Sequence, residues 1–281
     1  IMTYARTLKN VTFVADDGVA LPGFSLSSGH QYGTEGNPAY DHVRETTIES
    51  TPGSYYAYCS LENVTFDGLA ISGQIFLSDY SSDSEGFDGN TSIDGITIEN
   101  CTFAGDESQM ANSSFAAIKM AADSQTFDNV TVSNCSITDY YQGIYIQGPN
   151  NIAVSNCSID NTTHNAIALQ SSTNNSVEGT VLLEENVIQN ASDRAIRFGN
   201  ASDVESVVIR NNIMIESGDN AGELIKAESL PSGTSSITLD GNYWSGEKVA
   251  TAVAGGLPLP TIVGVTDGTF PKLTANETGF A

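Results

Sequence analysis

Positive charge is scarce in this chain. Lysine and arginine number 10 among 281 residues, against 34 aspartates and glutamates, giving a formal charge of −24. Such a surface repels nucleic acid phosphates and anionic membranes, so neither is expected as a partner. No apolar run reaches 18 residues, so membrane insertion is not expected either. There are 4 cysteines, too few for a disulfide scaffold. The histidines, His30, His42 and His164, are isolated from one another, and the sequence offers no nucleophile–base pair and no phosphate loop. No secretory signal stands at Ile1. Residues 3–14, TYARTLKNVTFV, already have strand character, so a signal and whole domains are expected upstream in the native protein. The acidic, lysine-poor composition, rich in Ser, Thr, Asn and Gly, points to a secreted or cell-surface bacterial protein, expected to be a monomer.

What is present is a repeat. The hexapeptide VSNCSI occurs at 132–137 and again at 154–159. Its frame, apolar-x-apolar-x-Asn-Cys-x-apolar, starts at Val130 and Ile152, and also at Ile96. Looser copies start at Val64, Val181, Val207 and Ile237, with a weaker one at Val11. From Val64 to Ile237 successive starts lie 22 to 34 residues apart, which fits a coil of fixed strand core and variable loops better than tandem helices. A second short strand recurs in each coil: AIKMA at 117–121, GIYIQ at 143–147, AIALQ at 166–170 and AIRFG at 195–199. Each coil therefore has three short strands, and parallel strands of successive coils stack about 4.8 Å apart. The fold class is all-β: a single-stranded right-handed parallel β-helix, a solenoid of about eight coils with three sheets. It is expected over 1–253, with an insertion at about 28–60 and a C-terminal cap over 254–281.

The tight bend before the third strand requires a left-handed backbone, which Asn and Gly tolerate best. Asn100, Asn134, Asn156 and Asn211 are assigned there, and their side chains are expected to bond from coil to coil. Cys101, Cys135 and Cys157 follow as a buried, inert stack; Cys59 lies outside it. The acidic loop SDYSSDSEGFDGN at 78–90 has oxygen donors suited to Ca²⁺ but no EF-hand spacing, and a solvated loop is the competing reading. No cofactor is certain from the sequence.

These coils, the Asn bend and the closing ITLDGNYWSG at 237–246 resemble the pectate-lyase-like right-handed parallel β-helix superfamily, over about residues 11–246. The resemblance concerns fold, since the superfamily includes lyases, hydrolases, esterases, tailspikes and non-catalytic adhesins. It implies a substrate groove on the outer face of the AIxxx strands. The outward residues there are Lys119, Tyr145, Ala168, Arg197 and Lys226, basic at three of five positions. Such a stripe can neutralise the acidic groups of a sugar chain. Tyr145 would stack on a ring, flanked by Tyr140 and Tyr141. Gln147 and Gln170 would bond hydroxyls, and the preceding loops add Asp139, His164, Asp193 and Arg194. The bland alternative is that the cations only offset nearby acids and cover apolar surface.

Two functions compete. One is a glycan-binding β-helix module without a catalytic constellation. The other is a polysaccharide lyase on an acidic glycan, with Lys119 and Arg197 as catalytic residues. An inverting hydrolase needs two carboxyls about 6.5–9.5 Å apart, and no outward stripe position is Asp or Glu. The loop acids Asp139, Asp160, Asp193 and Glu223 would have to substitute.

Overall fold

The computed structural model describes residues 7–16, 18–28, 60–79, 93–122, 127–170, 177–199, 203–215, 225–227, 236–240, 242–245, 253–255 and 262–263. The expected insertion, most of the acidic loop and most of the C-terminal cap lie outside these residues, as do Cys59, His30, His42 and Glu223.

The alternating apolar pairs set the strands. The first face is a nine-stranded parallel sheet of β1 (Thr7–Phe13), β3 (Ser60–Asp67), β5 (Ile93–Glu99), β8 (Phe127–Ser133), β11 (Pro149–Ser155), β14 (Glu178–Glu184), β17 (Asp203–Arg210), β20 (Ser236–Asp240) and β23 (Ile262–Val263). Its inward column runs Val64, Ile96, Val130, Ile152, Val181 and Val207, repeat starts in register, and the backbone of Ile237 continues the register. The second face comprises β6 (Thr102–Ala104), β9 (Ser136–Tyr140), β12 (Ser158–Thr162), β15 (Val187–Ala191), β18 (Ile213–Ile215) and β21 (Tyr243–Ser245). The third comprises β7 (Ala116–Ala122), β10 (Gln142–Gln147), β13 (Asn165–Gln170), β16 (Arg194–Gly199), β19 (Ile225–Ala227) and β22 (Val253–Gly255). The sequence leads to three separate sheets. Instead β4 (Ala70–Asp79) turns the corner, pairing with β6 at one end and β7 at the other, so the second and third faces form one 14-stranded sheet. β2 (Ala20–Ser28) pairs along β4 in the coil before.

Side chains at Val130 and Val132 are fully or almost fully buried, while Thr131 and Ser133 between and after them face out. Ile75, Ile118, Ile144, Ile167 and Ile196, all inaccessible, fill the third face in the same way. Each such Ile or Val contributes about 1.5–3 kcal/mol relative to the exposed state. Because every coil rests only on its neighbours, this stabilisation is summed locally along the rod.

The bends confirm one half of the asparagine expectation and correct the other. Asn100, Asn134, Asn156 and Asn211 are left-handed, with φ between 53° and 55°, as is Gly68 at 66°. Their side chains are exposed, however. That of Asn100 does bond to the preceding coil, but to Asp67 Oδ1 at 2.8 Å rather than to another asparagine. The coil-to-coil ladder sits one residue later, where the left-handed residue has turned the next side chain inward. Asn186 Nδ2 donates to Asn212 Oδ1 and Asn212 Nδ2 to Asn242 Oδ1, both at 2.9 Å. This is also the cysteine column: Leu69, Cys101, Cys135, Cys157, Asn186, Asn212 and Asn242 occupy one inward slot in successive coils. Asn186 Oδ1 accepts from the Cys157 N–H at 3.0 Å where the column changes from sulfur to amide. The three cysteines are free and buried. The Cys101 thiol, hydrogen-bonded to Cys135 and desolvated, is raised well above the ordinary thiol range, which suits an inert packing residue.

Candidate functional site

The outer column of the third face is in the register that the sequence suggests. Phe76, Lys119, Tyr145, Ala168, Arg197 and Lys226 stand on adjacent strands. A second column lies at the corner leading into these strands. There Tyr141, His164 and Asp193 stack through backbone bonds, His164 N–H to Tyr141 O at 2.9 Å and Asp193 N–H to His164 O at 3.2 Å.

The two columns run side by side over the same successive coils. The His164 ring lies face to face with Tyr141, centroids 5.0 Å apart and planes 9° from parallel. His164 Nε2 is 3.2 Å from Asp193 Oδ2, and Arg194 reaches the same carboxylate oxygen. Burial lowers the His164 pKa; Arg197 and Arg194 push it the same way and Asp193 opposes them. Burial raises the Tyr145 hydroxyl, and Arg197 counteracts it. Arg197 therefore acts on both Tyr145 and His164. Ala168, although on the outer side of its strand, is inaccessible, covered from the surface between Tyr145 and Arg197. Tyr141, Tyr145, His164, Asp193, Arg194 and Arg197 thus form one polar and aromatic cluster over a small floor. Gln147 and Gln170 continue it toward the strand ends, in register with Gly199. A Cβ at Gly199 would stand 2.7 Å from Gln170 Cγ, so the glycine leaves room for the Gln170 side chain to lie across it.

Three sequence-derived candidates stand differently. Tyr140 is not on the surface: it is inaccessible, and its hydroxyl donates to Gly73 O at 2.5 Å. The reason is a further left-handed residue, Asp139 at φ 65°, which shifts the alternation and turns Tyr140 inward. Asn161 and Asn190 do the same for Thr162 and Ala191 in the next coils. Removing this hydroxyl leaves a buried carbonyl unpaired. Tyr140→Phe is therefore expected to cost about 1–2 kcal/mol in urea denaturation, with ligand binding by the folded protein unaltered. Lys119 is the register neighbour of Tyr145, but its ammonium is engaged elsewhere. Its Nζ donates to Ser114 O at 2.8 Å and sits 5.4 Å from the Phe76 ring centroid, and burial lowers its pKa. It is three strands from Arg197, about 14 Å at the spacing of a sheet. The backbone of Lys226 is in register, while its side chain falls outside the described atoms. The loop acids Asp139 and Asp160 accept from Asn161 and Asn190 of the following coils, at 2.5 and 2.7 Å, and belong to these external braces.

The sequence pattern alone does not bring out one element beside the site. Helix α1 (Glu107–Ala111) follows β6, with Asp106 as N-cap and a capping box closed by Gln109. It is pinned by Gln109 Nε2 to Ser72 O at 2.8 Å and by Thr163 Oγ1 to Met110 O at 2.6 Å, next to His164. The signal is the D-x-x-Q spacing of Asp106 and Gln109, a readable helix start.

The architecture is thus a parallel β-solenoid whose third face carries a cationic and aromatic cluster. The chain belongs to the right-handed beta helix region family, whose model matches residues 46–243. Neither the curated proteins nor the solved structures gave a match.

Proposed function

We propose that the chain is a glycan-binding β-helix module of a secreted or cell-surface protein, taking an acidic polysaccharide along the outer side of its third face. The observation that carries this reading is the placement of Tyr145, Arg194 and Arg197 on neighbouring strands of the face that His164 leads into, on a protein of charge −24. Two guanidiniums, those of Arg194 and Arg197, stand on this face of a protein whose net charge repels anions. The aromatic faces of Tyr145 and Tyr141 supply apolar area for sugar rings, and Gln147 and Gln170 supply hydroxyl partners.

The competing reading is a lyase on the same glycans. The depressed pKa of Lys119 favours it, since a general base must shed its proton near neutrality. Its separation from Arg197 argues for binding instead, because abstraction of a proton and neutralisation of the adjacent carboxylate must occur on one sugar. A panel of acidic and neutral polysaccharides separates the two. Affinity-gel retardation and absorbance of unsaturated products are read together, with and without added Ca²⁺. Retardation without products is expected. Product formation on a uronan would replace the binding assignment by the lyase, and neither signal would refute both.

A further inference from the structure

Most of the left-handed asparagines share a motif. Of the ten, eight begin an Asn-x-Ser/Thr triplet without a central proline: Asn10, Asn63, Asn100, Asn129, Asn134, Asn156, Asn161 and Asn190. That triplet is the acceptor motif for N-linked glycans. Its frequency alone indicates nothing. The residue after each bend turns inward and the next faces out, where Ser and Thr are ordinary strand residues.

The side chains separate the eight. Asn63 donates Nδ2 to Asn10 Oδ1 at 3.2 Å, Asn100 to Asp67 at 2.8 Å and Asn129 to Asp94 at 2.7 Å. Asn161 donates to Asp139 at 2.5 Å and Asn190 to Asp160 at 2.7 Å. Each of these bonds braces one coil against the coil before. Asn134 and Asn156, at the centres of the repeated VSNCSI, are exposed, and neither side chain has a hydrogen bond among the described residues. The residues that take the place of Asp67 beneath them are Glu99 and Ser133, and neither closes the brace. Cys135 and Cys157 turn inward, each 2% exposed, while Ser136 and Ser158 stand partly exposed at the starts of β9 and β12. The amide and hydroxyl of both triplets therefore lie on the outer side of the chain. The two asparagines occupy the corner between the first and second faces, in adjacent coils about 4.8 Å apart. In a three-sided coil that corner lies opposite the third face, so a glycan there leaves the face of Tyr145 and Arg197 uncovered.

We infer that Asn134 and Asn156 are N-glycosylation sites, taking an oligosaccharide from a lipid-phosphate-linked donor as the chain is exported. In the transfer, Nδ2 forms a bond to the anomeric carbon and the bond from that carbon to the phosphate oxygen breaks. The lipid phosphate leaves with the bonding pair, and one amide proton passes to a base of the transferase. At Asn134 and Asn156 the substitution on Nδ2 costs no hydrogen bond of the folded coil. At an asparagine braced to an acid it sets a sugar ring against the carboxylate of the coil before. The inference rests on the secreted or cell-surface part of the proposed function and not on what the third face binds.

The test uses the protein isolated from the cells that carry its gene, with its location recorded and its peptides read by mass spectrometry. A sugar mass increment on Asn134, Asn156 or both is expected. It is lost in the double variant Ser136→Ala/Ser158→Ala, which breaks both triplets and keeps both bends. Exported protein with both asparagines unmodified, or with glycans on the braced asparagines instead, overturns the inference and leaves export standing. Unmodified protein retained inside the cell overturns both. An increment that survives in the double variant overturns the assignment to these triplets.

Discussion

Asn212→Leu is expected to destabilise the protein by about 3–5 kcal/mol, although leucine has the same branched side-chain frame and Leu69 already occupies the same inward column. Asn212 is inaccessible. Its amide donates to Leu183 O at 2.8 Å, Arg210 O at 3.1 Å and Asn242 Oδ1 at 2.9 Å. Its carbonyl accepts from Asn186 N–H at 3.0 Å and from Asn186 Nδ2 at 2.9 Å. The substitution breaks bonds to four neighbours and leaves the Asn186 N–H without its partner in the core, whereas Arg210 O, Asn242 Oδ1 and Asn186 Nδ2 each keep one. The surface-facing bend residue next to it gives the contrast. Asn211→Gly, at φ 55°, keeps the backbone conformation and should cost less than about 1 kcal/mol. Urea denaturation of both variants checks the pair. Similar costs would mean that the ladder contributes no more than the bend.

The inward columns are legible in the sequence because an apolar-x-apolar pair recurs at the same place in every coil. The spacing alone therefore aligns Val64 through Ile237, and Cys101, Cys135 and Cys157 with them. The asparagine ladder is less legible for a physical reason. Asn186, Asn212 and Asn242 are polar residues in a core slot, and only the neighbouring coil supplies the partners that make burial tolerable. The exposed Asn of each Asn-Cys pair is the more conspicuous candidate. Tyr140 is misjudged through the same kind of hidden bend, since nothing in Asp139 itself announces φ 65°. At the site, the outward column Lys119, Tyr145, Ala168, Arg197 and Lys226 follows from strand alternation alone. Its grouping does not. Side chains from different coils bring His164 to both Tyr141 and Asp193 while Lys119 reaches Ser114, and those directions depend on rotamers rather than spacing.

Arg197→Ala is expected to weaken polysaccharide binding by about 1.5–3 kcal/mol, roughly tenfold to more than a hundredfold, the range for a hydrogen bond to a charged group. Arg197 is the cation shared by the environments of Tyr145 and His164, so its loss removes both the anion contact and the positive potential over Ala168. Lys119→Ala should change binding only about twofold to threefold, because its ammonium is already engaged three strands away.

General electrostatics is the main rival explanation for any anionic ligand, and the fold provides its control. Arg210 lies on the first face, 48% exposed and paired with Glu184 at 2.5 Å. Arg210→Ala changes the net charge by the same amount as Arg197→Ala but leaves the third face untouched. The most direct measurement is affinity electrophoresis of both variants and the wild type against the polysaccharide that retards the wild type most. Retardation lost in Arg197→Ala and kept in Arg210→Ala is the predicted result. Equal loss in both, or full retardation of Arg197→Ala, would contradict the assignment of glycan binding to the third face.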